Sequence, residues 1–178
     1  MSDVRSAIQG DRGAFARLYE RYGRAVFLDL VARMRRREDA EDVLQAAFLA
    51  AWRNLPRLSK PDRFVPWLFK IARNKARDHA RRQQPRMLRL VDDADLIAPT
   101  GRDAPAIEEV RALMAGLKPE TRAIVLLRAV EGWSAEDVAR AQGMHAATVR
   151  RRYARALQHL RERSKRDDGN RKARRVGL

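Results

Sequence analysis

Apolar residues recur at steps of three and four along nearly all of this chain, and the longest interruption of that rhythm runs from Gln83 to Pro105. A period near 3.6 specifies helices with one buried stripe each, and no run of alternating β-branched residues specifies a strand. The interruption, QQPRMLRLVDDADLIAPTGRDAP, holds three prolines, a glycine and four aspartates. Such a stretch opposes regular structure and reads as a flexible linker. The chain is therefore expected to be all-α: two small helical domains, residues 1–82 and 107–165, joined by a linker over 83–106. The last residues, 166–178, are basic and poor in apolar side chains, and predict a disordered tail.

Helix signals are clear on both sides of the linker. Phe15, Leu18, Tyr19, Tyr22, Val26 and Phe27 make one apolar stripe. Leu44, Phe48, Ala51, Trp52 and Leu55 make the next, over about Ala40 to Leu55. Asp39, Glu41 and Asp42 suit the positive end of that second helix's dipole. LPRLSKPDRF (Leu55–Phe64), with two prolines, then breaks the pattern before a helix that begins FVPWLFK.

Charge narrows the function. Lys and Arg number 39 against 23 Asp and Glu, a formal net charge of +16 in 178 residues. An excess of this size makes the compact state repel itself, and it draws polyanions such as nucleic acid. The apolar runs fall far short of the roughly 20 residues a membrane span needs. The N-terminus lacks the basic start and apolar stretch of a secretory signal, so a cytoplasmic protein is expected. Cysteine is absent, and His79, His145 and His159 share no metal-ligand spacing. No clustered carboxylates, phosphate loop or nucleophile arrangement points to an enzyme. No catalytic residue, metal or cofactor is expected.

The most specific stretch is GWSAEDVARAQGMHAATVRRRYARALQHL, Gly132 to Leu160. Ser134 can cap a short helix, with Asp137 three residues on, and Gly143 stands where that helix must end and turn. On the helix that follows, Val149, Tyr153, Ala156, Leu157 and Leu160 form an apolar face. Thr148, Arg151, Arg152 and Arg155 keep the same spacing on the other side. This is a helix-turn-helix pattern, whose second helix enters the major groove of duplex DNA. Arginines there suit phosphate contacts and bidentate guanine contacts alike.

The helix FVPWLFKIARNKARDHARR, Phe64 to Arg82, carries a second basic stripe of Lys70, Arg73, Arg77 and Arg81. On a wheel of ~100° per residue, Leu68, Ile71, Ala72 and His79 lie broadly opposite, toward a core. Trp67 falls beside Lys70 on the flank of Asn74, and Phe69 lies off the core axis on the other flank. Trp67 suits either burial under the basic surface or stacking on an unpaired base. An amide such as Asn74 can read such a base.

DAEDVLQAAFLAAWRNL and the helix above resemble the core domain of bacterial RNA polymerase sigma factors of the extracytoplasmic-function group. LKPETRAIVLLRAVEGWSAEDVARAQGMHAATVRRRYARALQHL is similar to their C-terminal promoter-binding domain. The resemblance implies an alternative sigma factor that joins core RNA polymerase and directs promoter recognition, promoter melting and transcription initiation. It implies that Asp42 and Gln45 bind the clamp helices of the large catalytic subunit, with the flap as a further contact. It places Lys60, Asp62 and Arg63 in a base-capturing loop, and Lys70, Arg73, Asn74 and Arg77, with Trp67 at their margin, on a minus-ten surface. Thr148, Arg151, Arg152 and Arg155 fall on the minus-thirty-five helix, and an anti-sigma factor is a further implied partner. The chain departs from the family at Ala46, where Glu is usual, and at His145 and Ala147, where Ser or Asn and Gly are common. The competing reading is a helix-turn-helix regulator that binds duplex DNA without joining polymerase.

Overall fold

The computed structural model describes residues 2–87, 114 and 116–176, with side chains through Gln83 and then through Ser164. Among them are seven α-helices and no strand. In chain order these are α1 (Ser2–Ile8), α2 (Arg12–Val31), α3 (Arg37–Asn54), α4 (Phe64–Met87), α5 (Pro119–Ala129), α6 (Ala135–Gln142) and α7 (Ala146–Val176). The expected helical restart at about Ala106 lies outside the described residues.

The first domain is a bundle of α1 to α4. The Asp11 carboxylate accepts from the Ala14 backbone N–H at 3.0 Å and starts α2. Such a cap satisfies one of the donors a helix leaves free at its start. Phe64, Leu68, Ala72 and Ala76, four residues apart along α4, are buried. They fall on one face of α4, which packs closely on α3. Two 3-10 turns, Leu55–Arg57 and Pro61–Arg63, connect α3 to α4 where the prolines stand.

In the second domain, α5 buries five consecutive residues, Ala123 to Leu127. A helix buried all round must be covered on every side. Its covers are α6 and α7 within the domain and α2 from the first. The two domains therefore share one core: Ile124, Leu127, Val138 and Val149 belong to the same apolar cluster as Val26, Phe64 and Phe69.

Three expectations change. The helix α4 passes the boundary at Arg82 and ends at Met87, two residues beyond Pro85, whose missing N–H interrupts the ladder there. The C-terminal residues continue α7 through Val176 and are not a tail without regular structure. Extending a formed helix avoids the nucleation cost, and Arg, Lys and Ala are good helix formers. Phe69, placed off the core axis by its wheel position, is 0% exposed, because the second domain covers its flank.

Candidate nucleic-acid interface

The helix-turn-helix forms as its local sequence dictates. Ser134 caps α6, its Oγ accepting from the Asp137 N–H at 3.0 Å while donating to the Asp137 carboxylate at 2.6 Å. Gly143 takes φ 68°, ψ 40°, the left-handed conformation in which glycine meets no Cβ penalty. The Met144 N–H returns to the Ala139 carbonyl at 3.0 Å. The His145 carbonyl accepts from the Thr148 and Val149 N–H groups and opens α7. Val149 and Ala156 are buried, holding α7 against the domain. Thr148 is half-buried, and Arg151, Arg152 and Arg155 are all exposed. Arg150, next to them, is tied to Glu136 on α6. The cations Arg151, Arg152 and Arg155 thus project into solvent from a helix fixed on its other side.

The stripe on α4 is built differently. Lys70, Asn74 and Arg77 are exposed, and Arg77 Nη1 donates to Asn74 Oδ1 at 3.3 Å. Trp67 is half-buried, its ring 6.0 Å from that of Phe64. Arg73 stands apart from these. Its Nη1 donates to the Ala141 carbonyl of α6 at 3.1 Å and lies 3.8 Å from the Asp29 carboxylate. Burial pulls its guanidinium below the ordinary value, Asp29 opposes that shift, and Arg33 and Arg77 add to it. One turn earlier, Phe69 meets the Trp133 ring at 5.7 Å. The second domain therefore covers the edge of the α4 stripe and leaves its middle open.

Lys60, Asp62 and Arg63 are exposed on the loop leading into α4, where Arg63 lies 4.0 Å from Asp62. Asp42 and Gln45 are exposed on α3. Gln45 stands with Arg12 at the rim of an open groove lined by Phe15, Tyr19, Leu49 and Trp52. Tyr19 is 43% and Leu49 53% exposed, large apolar side chains that a stripe count alone assigns to the core or passes over.

These two helix systems coincide with known sequence families. Sigma-70 region 2 matches residues 18–86 and Sigma-70, region 4 matches residues 107–160. The ECF RNA polymerase sigma factor SigM of Mycobacterium tuberculosis is 36% identical over 156 residues, covering 86% of this chain and 78% of that protein. The chain belongs to the sigma-70 family, in its extracytoplasmic-function group.

The sigma factor is also similar to the probable RNA polymerase sigma factor RfaY of Xanthomonas campestris pv. campestris, 39% identical over 127 residues. That alignment takes in 66% of this chain and 32% of the longer RfaY. Among solved structures, CnrH in complex with the cytosolic domain of CnrY superposes with a TM-score of 0.68 at 28% identity, over 93% of this chain and 96% of that one. The all-α, two-domain architecture is thus that of the family, and the sigma factor is an alternative sigma factor directing polymerase to promoters. Among the described residues, no helix is long and apolar enough to cross a membrane.

Proposed function

We propose that this sigma factor divides promoter recognition between its two basic helices. Exposed Lys70, Asn74 and Arg77 on α4, with Arg73 and Trp67 at the two margins, take the melted minus-ten strand. Lys60, Asp62 and Arg63, on the loop before α4, capture a base beside it. Thr148, Arg151, Arg152 and Arg155 on α7 take the duplex minus-thirty-five element. Asp42 and Gln45 on α3 hold the clamp helices of the large catalytic subunit of core RNA polymerase, and the second domain meets the flap. An anti-sigma factor is the regulatory partner of this reading.

One observation carries the division of labour: the two stripes differ in kind. The α4 stripe adds an aromatic edge and an amide to its cations, the chemistry that stacks on and reads an unpaired base. The α7 stripe is a dense cationic face on a helix after a tight turn, the chemistry of a major groove. The test is transcription by core polymerase on a library of genomic fragments, with the parent chain, with Asn74→Ala and with Arg151→Ala. Start sites from the parent are expected to share two upstream elements. Asn74→Ala should relax the sequence of the nearer element alone, and Arg151→Ala that of the farther alone. Equal loss at both elements in both variants would refute the assignment.

A further inference from the structure

The polar cluster at the domain junction takes one residue, Arg73, from the promoter-facing stripes and the rest from outside them. Asp29 is 0% exposed and sits in the otherwise apolar run Ala25–Val31 of α2. A carboxylate so placed needs partners, and it draws them from both domains. Arg33, one turn along α2, donates from Nη2 at 3.0 Å and from Nε at 3.2 Å. Gln142, the last residue of α6, donates from Nε2 to Asp29 Oδ1 at 2.6 Å, and its Oε1 accepts from Arg33 at 2.9 Å. Arg73 completes the cluster by binding the Ala141 carbonyl, at the negative end of the α6 dipole. Glu120 on α5 lies 3.6 Å from Arg33, so two acids face two arginines. At the rim, Arg24 and Glu131 meet at 2.7 Å.

We propose that this cluster is a latch, and that domain docking and DNA capture compete for the Arg73 guanidinium. With the helix-turn-helix docked, Arg73 is committed to α6 and Asp29. With it undocked, the same guanidinium is free to reach a phosphate or base. The proposal rests on the reading of α4 as the minus-ten surface. The covalent connection permits undocking, since residues 88–113 can reach roughly 90 Å when fully extended. Apolar contacts such as Phe69 on Trp133 supply adhesion, while the latch fixes which groups face each other. The latch residues Gln142, Arg24 and Glu131 lie outside both promoter stripes, so they can be changed without touching DNA-facing groups.

Because the chain has no cysteine, Arg53→Cys and Gln158→Cys, both at exposed positions, place a dye on each domain for energy transfer. In Gln142→Ala the docked-to-undocked ratio should fall about tenfold or more, the worth of hydrogen bonds to charged groups. Energy transfer then drops, and binding of a fluorescent single-stranded deoxyoligonucleotide tightens. Glu131→Arg should also lower transfer, and adding Arg24→Glu should restore it, which mere damage to a domain cannot do. Saturating oligonucleotide should lower transfer in the parent. Unchanged transfer in both variants, with helical circular dichroism intact, would overturn the latch. Lowered transfer with unchanged oligonucleotide affinity would overturn the competition alone. If no variant binds the oligonucleotide, the minus-ten reading fails, and the competition with it.

Discussion

The helices α4 and α7 each carry a basic stripe built from three- and four-residue steps, and the fold treats the two stripes in opposite ways. On α7 the basic stripe is exposed and only the apolar face is packed. On α4 two faces are packed, one against α3 and one against the second domain, so the cations lie in a strip between them. Arg73 is drawn out of that strip into a buried polar cluster, while Arg151 and Arg152 stay in water. A basic stripe therefore states what a helix offers to an anion. Whether each cation is free to respond depends on neighbours far away in the chain.

The sharpest way to break this contrast is to remove its centre. Asp29→Ala takes from Arg33 and Arg73 the buried carboxylate that lies between them, and should cost about 3–5 kcal/mol by denaturant unfolding. Phe69→Ala removes a fully buried ring on the same flank of α4, and should cost about 3 kcal/mol or somewhat more. Single arginines then compare the two helices directly. Arg73→Ala deprives the Ala141 carbonyl and Asp29 of a partner and should cost about 1–3 kcal/mol. Arg152→Ala should stay within about 0.5 kcal/mol of the parent in stability. Its effect should appear instead as a salt dependence of duplex binding shallower by roughly 0.9 for each phosphate that the side chain neutralises in the parent. Ser134→Ala tests the frame that presents α7, and should cost about 1 kcal/mol through removal of the cap.

The helix-turn-helix was legible because its signals are local. The Ser134 cap, the left-handed Gly143 and the buried Val149 are each set within a few residues of chain. The buried flank of α4 was not, because Phe69 owes its burial to Trp133 and Arg73 its partner to Ala141, each more than 60 residues away. Periodicity averages over one face of a helix and is blind to a second cover. Two signals do point to the junction. Asp29 stands alone in an apolar run, which demands buried partners, and the unbroken stretch Ala123–Leu127 demands a cover beyond its own domain. The apolar groove beside Gln45 escaped for a related reason. Tyr19 belongs to the apolar stripe of α2 and Leu49 stands next to that of α3, and the packing leaves both exposed.

The extent of α7 has the same lesson in reverse. Its last turns contain few apolar residues to pack, yet they continue a helix already fixed by Val149 and Ala156. Composition describes whether a segment would fold alone, and here the segment grows from a folded one.

The contrast between the helices is tested most directly by the reactivity of unpaired thymines in promoter DNA bound by the holoenzyme. The account predicts that Asn74→Ala with Arg77→Ala leaves upstream duplex binding in place but keeps the minus-ten thymines paired and unreactive, and that a template already unpaired there restores transcription. Arg151→Ala with Arg152→Ala should lower the amount of promoter bound while the bound fraction melts normally. Normal melting by the α4 variant, or a melting defect confined to the α7 variant, would contradict it.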